Sequence, residues 1–328
     1  MIEIRNLVKR FGPFTAVDGV DLDVERGEVL GFLGPNGAGK TTTMRMVTGF
    51  LAPTSGTARV CGVDVGEDRI AAQRTIGYLP EGAPAWPDMT PAELLDFAAQ
   101  ARGLARSERR AAIGRAVERV QLGGVLHKAI ENLSKGFKRR VGLAQAILHD
   151  PEVLIMDEPT DGLDPNQKFE VRKLIREMSP GKAIVLSTHI LEEVEAVCTR
   201  ATVMARGKLV ADGTPAELRA KDPRHGAVRV RVGVGADLDA EAFAALDAVA
   251  RVERDGDAFV CLAAGATSPA AAVTELVRAR GAELVELTPL EGRMDDVFRA
   301  LTLGAANAEE IARERVEGAQ PEAEEVTL

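Results

Sequence analysis

Val29-Leu30-Gly31-Phe32-Leu33, followed at once by Gly34-Pro35-Asn36-Gly37-Ala38-Gly39-Lys40-Thr41, decides how this chain is read. The apolar run has the length of a buried strand, and the eight residues after it fit the phosphate-cradling pattern G-x-x-x-x-G-K-[ST]. A strand that ends in a glycine-rich turn and opens a helix presents several backbone N–H groups, and the positive helix end, to one anion. Gly34, Pro35, Asn36, Gly37, Ala38 and Gly39 form the expected cradle, and Lys40 can reach the β- and γ-phosphates. The Thr41 hydroxyl is positioned in this pattern to ligand Mg²⁺, and Thr42 joins the nucleotide-binding set in the first turn of a helix expected over Thr41–Thr48.

Composition bounds what such a site can serve. A chain of 328 residues is long for one average domain, and two is the natural expectation. An apolar share of 45% supports packed cores, while a net charge of −9 argues against a nucleic-acid partner, which needs a basic face. Part of that acidity sits in Glu309, Glu310, Glu314, Glu317, Glu322, Glu324 and Glu325 near the C-terminus. Cys61, Cys198 and Cys261 are far apart, with no C-x-x-C pair, and read as reduced core residues. The N-terminal residues lack a signal-peptide layout, and no apolar run approaches the roughly 20 residues of a membrane span. The expectation is a cytoplasmic protein whose membrane part, if any, is another chain.

Outward from the first motif, Ile2-Glu3-Ile4 and Val20-Asp21-Leu22-Asp23-Val24 alternate as half-buried antiparallel strands do, and Thr57 to Val60 continues that sheet. The unbroken runs Val153 to Met156 and Ala183 to Leu186 suit parallel strands covered on both faces. Ahead of both runs helical periodicity extends from Thr90 to His149, opening on a capping box of Thr90 and Glu93 with Pro91 at the first helical position. The fold class is therefore α/β: a P-loop core with an antiparallel β subdomain and an inserted helical subdomain at about 82–150. The first domain is expected over 1–220, with a linker at 221–227. A βαββαβ order over 228–303 suggests a small ferredoxin-like α+β domain, with an acidic tail at 304–328.

Asp157-Glu158 closes the strand Val153 to Met156, where a P-loop protein holds its Mg²⁺ and orients water. Asp157 is assigned to the metal and Glu158 to water activation at the γ-phosphate. Leu133-Ser134-Lys135-Gly136, with Phe137 and the basic Lys138, Arg139 and Arg140 behind it, sets Ser134 and the N–H groups around Gly136 at a second helix start. A long helix is expected over Val141 to Leu148.

Two phosphate-binding elements in this order resemble the ATP-binding-cassette (ABC) family, whose signature has the form L-S-x-G. The resemblance covers about residues 1–220. It implies a head-to-tail dimer, homomeric or heteromeric, in which Ser134 and Gly136 of one subunit cover the ATP held by the other's P-loop. Asp161-Gly162-Leu163-Asp164 is similar to the family's D-loop, and His189 to the switch histidine that contacts the γ-phosphate. Phe11 matches the aromatic that stacks on adenine, with Phe14 as a near competitor. Glu81 stands where the family's Q-loop usually has Gln; a carboxylate can still bind Mg²⁺ or its water but cannot donate a hydrogen bond. The residues implied for catalysis are Glu158, His189 and Lys40, and those for metal are Thr41, Asp157 and Glu81. The stretch Gly162 to Glu195 is similar to subunits of multidrug, polysaccharide and gliding-motility-type exporters. This implies ATP hydrolysis coupled to a separately encoded membrane permease, with the subunit peripheral on the inner face of the membrane. The alternative is a soluble cassette ATPase acting on the ribosome or nucleic acid. Against it stand the single cassette, the acidic charge, and the lack of heptads or paired cysteines.

Overall fold

The computed structural model of the chain describes residues 1–233, 238–265 and 267–303, and divides it into two compact units, Met1–Pro215 and Ala216 onward. The first unit opens with the hairpin β1 (Ile2–Phe11) and β2 (Phe14–Val24), then β3 (Val29–Leu33) and α1 (Lys40–Val47). Next come β4 (Ser55–Val60), β5 (Val63–Asp64), α2 (Arg69–Thr75) and β6 (Ile76–Leu79). Three helices follow, α3 (Pro91–Ala101), α4 (Arg106–Arg119) and α5 (Lys135–Ile147). The unit finishes with β7 (Val153–Asp157), α6 (Pro165–Met178), β8 (Ala183–Thr188), α7 (Leu191–Val197), β9 (Arg200–Ala205) and β10 (Lys208–Gly213).

The central sheet has the order β10-β9-β3-β8-β7-β6, parallel except for β10 at its edge. Every residue of β3, β7 and β8 is buried, as unbroken apolar runs require when both faces are covered. A second sheet, β2-β1-β4-β5, is antiparallel; Ile2, Ile4, Leu22 and Val24 share a core with Phe32 of β3 and Met44 and Val47 of α1. Thus β3 does not extend the N-terminal hairpin but crosses to the parallel sheet.

Register fixes where the chemistry gathers. Leu33 lies opposite Thr188, Asp157 opposite Ser187, and Leu79 opposite Met156. The residues that follow these strand ends, Gly34, His189, Glu158 and Pro80-Glu81, therefore emerge along one edge of the sheet, where ligands of open α/β sheets bind.

The helical layer buries Leu94, Leu95, Ala98 and Ala99 of α3 against Ala112 and Ala116 of α4 and Val141 and Leu143 of α5. The capping box forms: Glu93 N donates to Thr90 Oγ1 at 3.2 Å and Thr90 N to Glu93 Oε2 at 2.8 Å. A cap of this kind stabilises a helix by about 1 kcal/mol. Two elements depart from the sequence pattern. Helix α2, capped by Asp68, was not visible in the periodicity. Helix α5 begins at Lys135 rather than Val141, because Ser134 caps it and Gly136 and Arg139 turn inward instead of forming a loop.

The chain divides within α8 (Pro215–Arg219), ahead of the linker expected at 221–227. The second unit contains β11 (Val228–Val232), α9 (Ala240–Ala244), β12 (Val249–Asp255), β13 (Ala258–Ala263), α10 (Ala270–Ala279), β14 (Leu284–Pro289) and α11 (Met294–Leu303). Its antiparallel sheet has the order β12-β13-β11-β14, the ferredoxin-like arrangement, around Val230, Phe243, Cys261, Val273 and Val277. The acidic stretch 304–328 lies outside the described residues. All three thiols are free, and burial pushes that of Cys198 up to about 12 and that of Cys261 to about 11. Among the described residues no helix is long and apolar enough to cross a membrane.

Candidate active site

The glycine-rich turn is shaped by what its glycines leave out. Gly37 and Gly39 have φ of +79° and +110°, a region that favours glycine. A Cβ on Gly34 would sit 2.5 Å from the carbonyl oxygen of Met204, and one on Gly39 2.5 Å from that of Ala16. At Gly37 a Cβ would meet nothing within 4 Å, so this part of the turn borders open space. Helix α1 starts from Gly39 with no side-chain cap and no acidic residue in its first turn, which leaves its N-terminal N–H groups to an anion.

Lys40 is buried and its Nζ donates to the carbonyls of Gly34 at 2.6 Å and Pro35 at 3.2 Å. Burial lowers the pKa of this ammonium; Glu158, Asp157 and Glu81, in that order, act against the shift through their charge. Three carboxylates from the ends of β6 and β7 thus converge electrostatically on the lysine of the turn.

Asp157 is buried, and its Oδ1 accepts a hydrogen bond from Ser187 Oγ while Oδ2 has no partner. A buried carboxylate oxygen left open at the mouth of a phosphate cradle fits a hard divalent cation. Glu158 adopts φ +51°, which swings its side chain out of the strand direction. Its N–H is shared by the carbonyl and the hydroxyl of Ser187, each at 3.1 Å. Its Oε1 lies 3.0 Å from Nδ1 of His189, itself half exposed. Lys40, Asp157, Glu158 and His189, with Glu81 exposed beside Pro80, are therefore brought together.

Other expected residues have different neighbours. Ser134 is exposed at the head of α5, where Phe137 N donates to its Oγ at 3.4 Å. Gly136 is buried where a Cβ would stand 2.2 Å from Oε1 of Gln167. Phe11 and Phe14 face each other across the Gly12-Pro13 turn and both are exposed, with Lys9 Nζ 5.2 Å from the Phe11 ring centre.

Residues 17–161 match the family described as ABC transporter. The chain is 41% identical over 219 residues to the uncharacterized ABC transporter ATP-binding protein YxlF of Bacillus subtilis, covering 67% of this chain and 72% of that protein. The chain belongs to the ABC transporter family. It is 35% identical over 304 residues to the Nod factor export ATP-binding protein I of Paraburkholderia xenovorans, a match that covers 92% of this chain and 96% of that one. A solved ATP-binding subunit of an ABC transporter superposes with a TM-score of 0.63 at 30% identity, over 67% of this chain and 92% of its own. A dimeric bacterial ABC transporter cassette shares the fold at a TM-score of 0.62 and 22% identity, over 66% of this chain and 99% of its own. The chain is an ABC ATP-binding subunit, an ATPase that binds nucleotide.

Three residues of this ABC subunit had no assigned role in the sequence. Ser187 serves both acids at the end of β7. Glu193, buried on α7, accepts from Thr160 Oγ1 and, at 3.0 Å, from Thr188 Oγ1, with Lys168 Nζ 3.8 Å away. It joins the segment after Glu158 to the one before His189. Arg139 sends a buried guanidinium into the same region. Periodicity marks Glu193 only as a polar residue and leaves Arg139 ahead of the expected helix; their partners lie on other strands and loops.

Proposed function

We propose that this ABC ATPase drives a separate membrane permease in the export direction, two copies or two related subunits closing head to tail over ATP. The observation that carries the reading is the convergence of Glu158, Asp157, His189 and Lys40 at the ends of adjacent parallel strands. In this reading Phe11 stacks on adenine, and Gly34, Pro35, Asn36, Gly37, Ala38 and Gly39 present backbone N–H groups to the phosphates. Lys40 leaves two neutral carbonyls for a charged phosphate oxygen, a stronger hydrogen-bond partner. Glu158 takes a proton from the attacking water, oriented by His189. Positioned charges of this kind supply most of the catalysis in phosphoryl transfer.

Thr41, Asp157 and Glu81 would hold Mg²⁺, with Thr42 beside them on the nucleotide; the metal would neutralise charge on the β- and γ-phosphates. Ser134 and Gly136 would come from the opposite subunit. The exporter assignment follows the likeness to the Nod factor export ATP-binding protein.

A permease needs a landing place, and a groove of about 550 Å³ in the first unit supplies one. Phe50, Ile70, Trp86 and Phe97, all exposed, line it with Arg74 and Arg102, and Pro80 beside Glu81 forms part of its wall. Its occupant in this reading is a short apolar helix of the permease bearing an acidic residue. Such contact would place this subunit on the inner face of the membrane.

Glu158→Gln tests the reading. Turnover is expected to fall by about 100-fold or more, the share a general base supplies, with an ATP-bound dimer accumulating on size exclusion. Normal turnover in that variant removes Glu158 from its role.

A further inference from the structure

Arg139 is one turn inside α5, five residues after the cap Ser134, and only 5% exposed. Burying a cation costs several kcal/mol unless its donors are met. No carboxylate pairs with it at ion-pair distance among the described residues. Its donors go to main-chain carbonyls instead: Nε to Pro159 at 3.3 Å, Nη1 to Pro80 at 3.2 Å, and Nη2 to both Asp157 and Glu158. One planar fork thus joins the end of β6, which leads into Glu81, to three consecutive residues at the end of β7.

The bond to Glu158 bears on the chemistry. A non-glycine residue at φ +51° is strained and persists only where its surroundings over-determine it. Three constraints are present: Ser187 receives the Glu158 N–H, and the Glu158 carbonyl accepts both from Arg139 and, at 3.1 Å, from Asp161 N. Without Arg139 the peptide after Glu158 is held on its carbonyl side by the Asp161 N–H alone. The carboxylate is then less firmly aimed at His189. A hydrophobic residue of similar length would fill the same space but remove a side-chain donor from four carbonyls, of which those of Pro80 and Glu158 keep main-chain donors in Ala83 N and Asp161 N.

We propose that Arg139 is a positioning residue for hydrolysis: it locks the left-handed turn at Glu158, and so aims that carboxylate, from the helix that Ser134 caps. The proposal rests on the reading of Glu158 as the group that activates water. Arg139 touches neither nucleotide nor metal in it, so nucleotide affinity stays with the glycine-rich turn and Phe11. A misplacement near 1 Å costs about 100-fold in rate.

The test compares full-length wild type, R139M, R139K, R139Q, R139A and E158Q in steady-state ATP hydrolysis, with urea unfolding run in parallel. R139M is expected to lose about 100-fold in kcat with KM for ATP within about threefold, the signature of lost aim rather than lost binding. R139K is expected to regain part of the rate, since one ammonium can still reach a carbonyl. Millimolar guanidinium added to R139A is expected to restore turnover where sodium does not. Should R139M fail to fold, R139Q carries the same comparison with part of the hydrogen bonding kept. Wild-type kcat in R139M or R139Q overturns the proposal, as does a rate loss that matches only the unfolded fraction without guanidinium rescue. E158Q separates the two claims: if E158Q is inactive while R139M is normal, only the role of Arg139 falls; if E158Q turns over normally, the reading of Glu158 falls first.

Discussion

His149 ties the end of α5 to the start of β6, and protonating it should loosen that joint by a calculable amount. Its Nε2 is 3.1 Å from the carbonyl of Ile76, while Nδ1 is buried without a partner. Burial first, then the nearby Arg102 charge, lowers its pKa from 6.5 to about 4. The ring is therefore neutral in the fold, and the sign follows. Above pH about 6.5 neither state is charged and His149 contributes no pH dependence. Between about 6.5 and 4 the unfolded chain takes up a proton that the fold refuses, so stability falls as pH falls, by at most ~3 kcal/mol in all. Between about pH 7.5 and about pH 5.5 the share is ~1.3 kcal/mol. His149→Gln, which keeps a donor for Ile76, should lose that much less than wild type over the same interval. Urea unfolding followed by the fluorescence of Trp86, the only tryptophan and a residue of the first unit, reads the difference. Other acids titrate equally in both proteins and cancel. Equal losses in wild type and H149Q would refute the buried neutral ring.

Gly136→Ala separates packing from function at the signature. The Cβ would displace only the flexible tip of Gln167, and alanine favours a helix over glycine by up to about 1 kcal/mol, so the urea midpoint should hardly move. ATP-driven pairing should nevertheless weaken at least about tenfold, equal to ~1.4 kcal/mol, if this face meets the partner's nucleotide; unchanged pairing by light scattering would take Gly136 out of the contact. Glu193→Ala strands the hydroxyls of Thr160 and Thr188, and should cost about 2–4 kcal/mol of stability together with kcat. Glu193→Gln, which keeps an acceptor, should recover much of both in urea unfolding and ATPase assays.

How far the sequence could be read depended on whether a feature is local. The turn from Gly34 to Thr41 is a set of adjacent conformational demands, and a contiguous motif states them. Asp157-Glu158 and His189 were legible because each directly follows an apolar run, and parallel register carries the ends of such runs to one edge. Helix α5 was misread at its start because lysine, glycine and arginine in succession look solvated. What makes them helical is the cap at Ser134 and the carbonyls that Arg139 meets, which belong to residues from 18 to 59 positions away. Glu193 escaped for the same reason: two hydroxyls, one on the loop after β7 and one at the end of β8, give it its purpose, and no spacing within α7 records them.

The charge pattern explains why a second cation belongs behind this site. Glu158, Asp157 and Glu81 all act on Lys40, and the same three act on Arg139 together with Asp161. With Lys40 alone, three carboxylates would face one ammonium. Arg139 offsets part of that field, and its hydrogen bonds go to carbonyls rather than to the carboxylate oxygens themselves. The geometry that aims Glu158 therefore depends on Arg139, so substitutions at Arg139 and Glu158 should act non-additively on rate.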